Sequence, residues 1–400
     1  MNSFPRIGGI QIGGDPTRNG IQDINSATYQ VALATQDVMV LPFYPGFAPG
    51  GVAMDYCIRG IKASNPNAKV FLYANTDGQK IPPAKPFTAY VADVEAKGWL
   101  LKDAAGNPVP SFFAGETTFN NTPNTPPDEL GYTSADWFPR FWAAAMASAQ
   151  SADGTYVDNC LTAPRVDGDW CCSGTVLKAT DPAAAAALQA GYQRWFFLMR
   201  QFQPGKLQIG NIGSWAANGA TVPTRYAGMA DGGVLEKMIG VPHVSVEDWG
   251  GWMKMMTQYR ATMAALNPPK LLIFNQHGDP ADYQSFRYGF GSCLMDDGYY
   301  SFTANAQGYY GVVEFDEYNA NLGVPVWMPP TRPWSNGVWR RDFEHGIALV
   351  NPKGNSVQTV VLESPFVKLN GTQAPAVNNG QTVTSVTLQD RDGIVLRRPT

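Results

Sequence analysis

The sequence predicts an α/β chain: a (β/α)8 TIM barrel followed by a small C-terminal all-β, sandwich-like domain. Two patterns carry this. Up to about residue 330, short apolar runs alternate with stretches of helical spacing. Eight such units fit a closed parallel barrel better than an open sheet. Beyond that point the helical period stops, and strand-like runs are separated by Gly, Asn and Pro. The expected division is a barrel domain over 1–330 and a β domain over 331–400.

The units run in order. Residues 7–12 read as the first strand, 28–34 as part of the first helix, and 38–43 as a strand stopped by Tyr44-Pro-Gly46. Residues 51–63 have helical spacing, and 69–74 form the third strand. A loop and helix follow over 82–95. The segment 99–137 interrupts the pattern, with Thr122-Pro-Asn-Thr-Pro-Pro127 at its centre. A long loop inside a compact domain is functional or mobile as a rule. A helix is expected over 138–151, then the fourth strand over 154–158. Next come a long helix over 183–202, the fifth strand over 207–212 and a short sixth strand over 232–236. A helix over 252–265, a strand over 271–275, a helix over 281–294 and a strand over 299–303 complete the barrel. The strand-like runs of the tail cover 338–350, 357–362, 377–386 and 393–397.

The composition is that of a globular chain: 44% apolar, 16% charged, formal net charge −4. No apolar run approaches the roughly 20 residues of a membrane span. Basic residues are scattered, with Arg340-Arg341 the one short cluster, so nucleic acid is not an expected partner. The 11 Trp, 17 Tyr and 20 Phe suit the C–H faces of sugars, and equally suit an ordinary barrel core. The five cysteines form no C-x-x-C pair and only three His exist, so no metal and no cofactor is expected. Cys160 with Cys171 or Cys172 is the disulfide to test. The N-terminus has no apolar signal core. Extracellular or periplasmic placement is expected, with a signal peptide already removed; cytoplasmic placement is the alternative.

A barrel of this kind works at the C-terminal ends of its strands. Asn75 follows the third strand, Asp158 and Asn159 the fourth, and Asn211 lies at the fifth. Glu236 ends the sixth, Asn275 and His277 lie at the seventh, and Asp296 and Asp297 precede the eighth. These are expected on one rim. Hydrolysis of a glycosidic bond needs two carboxyl groups, one to protonate the leaving oxygen and one to act as nucleophile or base. Asp158 and Glu236 stand on strands separated by one strand and can face each other. Each could instead be structural, Asp158 capping a turn and Glu236 in a rim ion pair. An apolar surround at Glu236 would raise its pKa and suit it to the acid role, leaving Asp158 as nucleophile or base. Asp296-Asp297 is a rival, of which one at most would face the site. Arg6, Tyr44, Asn75, Asn159, Asn211, Asn275, His277 and Asp297 could bind sugar hydroxyls or be satisfied rim groups. Trp215, Trp249 and Trp252 could stack on sugar rings, though Trp252 falls in a helical, core-like pattern. No nucleophile elbow, phosphate loop or dinucleotide fingerprint occurs.

Several motifs resemble one family. They are Gly154-Thr-Tyr-Val-Asp-Asn159, Glu236, Leu294-Met-Asp-Asp-Gly-Tyr-Tyr300 and Val338-Trp-Arg-Arg-Asp-Phe-Glu-His-Gly-Ile-Ala-Leu-Val-Asn351. The chain resembles the hypothetical bacterial glycoside hydrolases, barrel proteins with a β-rich tail. It is similar also to the endo-α-1,4-polygalactosaminidases, with an Asp after strand four and a Glu later in the barrel. The resemblance implies a glycosidase carrying Asp158 and Glu236, acting on an α-linked poly- or oligosaccharide in endo fashion. A carbohydrate-binding barrel without activity, or a transglycosylase on the same scaffold, is the alternative.

Overall fold

The computed structural model describes residues 3–12, 26–43, 51–81, 88–211, 226, 228–240, 245–306 and 308–399. The first half contains β1 (Gly8–Ile10), α1 (Ala27–Leu33), β2 (Val38–Leu41), α2 (Gly51–Ser64), β3 (Lys69–Ala74), β4 (Gly78–Lys80) and α3 (Thr88–Ala96). There follow β5 (Glu116–Thr118), α4 (Ser134–Ala145), β6 (Gly154–Val157), α5 (Pro182–Phe202), β7 (Leu207–Asn211) and β8 (Gly232–Ile239). The barrel ends with α6 (Val246–Ala265), β9 (Leu271–Gly278), α7 (Tyr283–Leu294) and β10 (Tyr299–Ala304).

Eight strands form one parallel sheet in the order β1-β2-β3-β6-β7-β8-β9-β10. A parallel bridge between Ile7 and Tyr300 closes the ring, with the Tyr300 N–H donating to the Arg6 carbonyl at 2.9 Å. Alternate residues of a strand point to opposite faces, so each strand sends every second side chain inward. Ile10, Val38, Val40, Phe71, Tyr156, Ile209, Val234, Leu271, Ile273 and Tyr299 make that inner core. A second, larger cluster lies between the strands and the helices. On α5, Ala184, Leu188, Gly191, Trp195 and Met199 recur at helical spacing on its buried face.

Two glycines give the barrel floor its closeness. A Cβ on Gly154 would come within 1.9 Å of the Leu207 carbonyl oxygen, and one on Gly232 within 2.2 Å of the Leu271 carbonyl oxygen. Both head an inward column, ahead of Tyr156 and Val234.

Three expectations change. The segment over 99–137 is not an open loop. β4 and β5 pair antiparallel, and bridges join Leu100 to Phe119, Lys102 to Pro108 and Pro110 to Thr117. Its foundation is aromatic: Tyr90 lies against Phe119, Trp137, Phe138, Phe141 and Trp142. Second, α4 starts at Ser134 rather than 138, because Thr133 and Asp136 cap it, the Thr133 hydroxyl and N–H both donating to Asp136 Oδ2. Third, β8 runs on to Ile239, with a register shift between Leu235 and Ile239.

The tail is all-β: β11 (Trp339–Phe343), β12 (Gly346–Asn351), β13 (Gln358–Lys368), β14 (Thr382–Leu388) and β15 (Asp392–Arg397). They form an antiparallel sheet in the order β11-β12-β15-β13-β14. β12 shows how it is shared. Ala348 and Val350 join the core between strands and helices, while Ile347 and Leu349 join the tail's own cluster with Val360, Phe366 and Leu396. Trp252 of α6 is buried with its ring tilted against Trp339, centroids 5.0 Å apart, so it is core, as its helical pattern suggested. Cys160 is buried and unbridged, as are Cys171 and Cys172 unbridged, so the disulfide considered from sequence does not form.

Candidate active site

Three inward columns carry the site. On β6 the column runs Gly154, Tyr156 and then Asp158 just past the strand end. On β7 it runs Leu207, Ile209, Asn211, and on β8 Gly232, Val234, Glu236. The apolar members fill the barrel, and the next layer up is polar. Asp158, Asn211 and Glu236 are therefore neighbours on three adjacent strands at the C-terminal mouth.

One amide joins them. Asn211 Nδ2 donates to Asp158 Oδ1 at 2.9 Å and to Glu236 Oε2 at 3.0 Å. Those two oxygens consequently lie no more than about 6 Å apart. Asp158 accepts three further bonds: from the Asn159 N–H at 2.8 Å, from Tyr73 at 2.8 Å and from Tyr156 at 3.3 Å. Asn159 itself takes φ 48°, a left-handed value that Asn tolerates. Glu236 Oε1 accepts a hydrogen bond from the Tyr309 hydroxyl and lies 3.4 Å from Lys237 Nζ. Tyr309 comes from a short 3-10 turn, Gly308–Tyr310, after β10.

The carboxyl groups are held differently. Burial and the facing charge of Glu236 push Asp158 above the ordinary Asp range. Burial also raises Glu236, but the Lys237 ammonium, the Tyr309 hydroxyl, the Asn211 amide and His277 outweigh it, and the net shift is downward. This corrects the expectation that an apolar surround would raise Glu236. The β8 irregularity is the reason: Lys237 takes φ 55° there, its N–H donating to Asn275 Oδ1 at 3.3 Å, and its ammonium comes to the carboxylate.

His277 lies 3.2 Å from the Tyr309 hydroxyl, and burial brings it down to about 4. It is thus neutral above that pH. Since Tyr309 gives its one proton to Glu236, the His277 Nε2 must carry the hydrogen that Tyr309 accepts. Asp77, past β3, is a third carboxyl in the field of this group. Burial raises it to about 6, with Arg165 opposing and Asp158 and Glu116 adding.

The pair opens into a cavity of about 580 Å³, within the range of small-molecule sites. Asn159, Arg165, Lys237, Trp249 and Tyr309 line it, together with Phe112 and Phe113 from the segment over 99–137. Trp249 is 44% exposed there.

Other expected residues stand elsewhere. Arg6 and Asp297 precede their strands, so they lie at the N-terminal end of the barrel, away from the carboxyl pair. Arg6 Nη1 donates to the Asp297 carbonyl at 2.9 Å, and Arg341 of the tail pairs with Asp297 at 2.5 Å. Asp296 is at the same end, its carbonyl bonded by Arg341, and is no rival to the pair. Asn75 is buried in a turn, accepting from the Asp77 N–H and donating to the Gly78 carbonyl. Asn275 is wholly buried, tying Thr303 and the Lys237 backbone together. Tyr44 and Trp215 lie outside the described residues. Sequence reasoning passed over Tyr73, Tyr156, Lys237, Arg165 and Tyr309. Tyr156 had a signal, standing two residues before Asp158 on the same face. So did Tyr73, two after the core residue Phe71.

The comparisons with known proteins bear on fold and family. Among solved structures the chain is similar to Amy13B of Eubacterium rectale, at 9% identity over 100% of this chain and 97% of that one, with a TM-score of 0.55. It is similar to the α-amylase of Geobacillus thermoleovorans in complex with acarbose, at 10% identity over 98% and 97%, TM-score 0.51. A cyclic α-maltosyl-(1→6)-maltose hydrolase from Arthrobacter globiformis matches at 10% identity over 99% and 98%, TM-score 0.50. At such identities the likeness is one of fold: a barrel with a C-terminal β domain. No curated protein matches in sequence. The sequence profile described as hypothetical glycosyl hydrolase family 15 matches residues 62–347, which run from the end of α2 to the start of β12 and include both carboxyl residues. The chain belongs to this family, and it is a glycosidase.

Proposed function

We propose that the enzyme cleaves α-linked poly- or oligosaccharides internally, with Asp158 and Glu236 as its two catalytic carboxyl groups and the barrel over 1–330 as the catalytic domain. The observation that supports this most is the shared Asn211 amide. It brings the carboxyl oxygens within about 6 Å, close to the about 5–5.5 Å of retaining glycosidases and short of the about 6.5–9.5 Å of inverting ones. The proposed reaction is thus double displacement.

The charge environment supports a proposed order of roles opposite to the one expected from sequence. Glu236, held low by Lys237, is the ionised group and attacks the anomeric carbon. Asp158, the carboxyl whose pKa is pushed upward, is the one proposed to give a proton to the leaving oxygen. In the second step Asp158, now ionised, takes a proton from water as the water attacks the glycosyl–Glu236 ester. The α preference rests on the resemblance of the Asp158 motif to α-glycosidase barrels. A polymeric substrate fits placement outside the cytoplasm.

The test is a polysaccharide panel scored by new reducing ends. Asp158→Asn and Glu236→Gln are each expected to lose at least about a thousandfold in turnover with unchanged thermal unfolding. Normal turnover in either variant would sink the assignment. Azide with the alanine variants checks the roles: Glu236→Ala should yield a glycosyl azide of inverted configuration, Asp158→Ala one of retained configuration.

A further inference from the structure

Phe112 and Phe113 are large, apolar and open, 67% and 40% exposed. Leaving them in water forfeits the stabilisation that burial would bring, so the fold has no use for them there. Both line the cavity of the carboxyl pair. They stand at a built tip. The Ser111 N–H donates to the Glu116 carbonyl at 2.8 Å, the Glu116 N–H to the Phe113 carbonyl at 3.1 Å, and the Phe113 N–H to Ser111 Oγ at 3.2 Å. The rings meet edge to face with centroids 5.6 Å apart.

Arg165 ties this tip to the chemistry. Its guanidinium lies 5.3 Å from the centroid of each ring, and its Nη1 donates to Asn159 Oδ1 at 2.9 Å. The Asn159 N–H in turn holds Asp158. A continuous path of contacts therefore runs from the aromatic tip to the carboxyl that faces the leaving oxygen.

We propose that Phe112, Phe113 and Arg165 form a subsite for the pyranose unit that leaves with the broken bond. A ring face of that sugar lies on the phenyl groups, and Arg165 fixes the tip to the Asp158 side of the cleft. Phe112 and Phe113 are specificity-determining residues, and Arg165 is a positioning residue for Asp158 acting through Asn159. This rests on the glycosidase reading above, with Asp158 on the leaving-group side.

Two substrates separate the subsite from the chemistry. An α-glycosyl fluoride (glucosyl and galactosyl forms) has fluoride as its leaving group and places no sugar on the tip. Phe112→Ala/Phe113→Ala should lower kcat/KM on the best polysaccharide of the panel by about tenfold or more, chiefly through KM. Its kcat/KM on the fluoride should stay within about twofold of the wild type. Phe112→Tyr/Phe113→Tyr should recover the polymer activity. Equal losses on both substrates, or none on the polymer, would overturn the proposal. Arg165→Met should move the alkaline limb of the pH profile; an unchanged limb removes its positioning role. Affinity electrophoresis in gels containing starch, dextran, pullulan, polygalactosamine or polygalacturonate reads the subsite without turnover. The wild type should be retarded by at least one polymer and the double alanine variant less so. Retardation without any cleavage would cost the glycosidase reading and keep the subsite; no retardation difference would overturn the subsite alone.

Discussion

Asn211 has one nitrogen bonded to two carboxyl groups, so its removal acts on both. Each loses a donor that favours its charged form, and each pKa rises. Asn211→Ala should move both limbs of the kcat/KM–pH profile to higher pH and cut kcat by about a hundredfold, as loss of one preorganised donor does. Lys237→Met separates the pair. Lys237 lowers Glu236, so without it Glu236 titrates higher and the acid limb alone shifts to higher pH. A stationary acid limb would assign that limb to another group. At this scale the sequence was informative wherever period two applied. Asp158, Asn211 and Glu236 follow Tyr156, Ile209 and Val234 by two residues each. It misled at Arg6 and Asp297, because a residue preceding a parallel strand stands at the opposite end from one following it. The proposed proton order was illegible too. It depends on Lys237 turning at φ 55°, and no spacing announces that.

At the scale of elements, strand columns decide what the barrel tolerates. Gly154 and Gly232 leave room for neighbouring backbone oxygens that no flexible side chain can vacate. Gly154→Ala should lower stability by about 1–3 kcal/mol, read by thermal unfolding, although alanine suits a strand no worse by conformation. An unchanged midpoint would mean that β6 can shift against β7. The eight strands were readable because apolar runs and helical spacing alternate plainly. The segment over 99–137 was not, since its pairing uses three-residue strands and single bridges among Pro, Asn and Thr. The start of α4 escaped for a related reason: its cap, Thr133 with Asp136, sits inside the polar stretch that reads as loop.

For the molecule as a whole, the tail is bound to the barrel by core and by charge. Arg287 of α7 pairs with Asp392 at the start of β15 at 2.9 Å, their side chains only 8% and 7% exposed. Breaking one side leaves a buried charge. Arg287→Met should cost about 3–5 kcal/mol in urea unfolding, and Arg287→Met/Asp392→Leu should recover part of it. A loss no greater than that of a surface substitution would show the pair to be dispensable. Arg391 with Glu247 and Arg341 with Asp297 add further ties between the two sheets' surroundings. The change in pattern near residue 330 foretold a β tail. Pairs between residues more than a hundred positions apart, such as Arg287 and Asp392, left no trace in local spacing.

The cleft wall over 99–133 packs through Phe119 and Tyr90 on the core between strands and helices, one layer away from the inner core beneath the carboxyl pair. Its tip, unlike its base, is free of that core and can vary. Relatives that differ in the sugars they accept should diverge most around Phe112 and Phe113, keeping Asp158, Asn211 and Glu236 unaltered, so that one catalytic centre serves a changing diet.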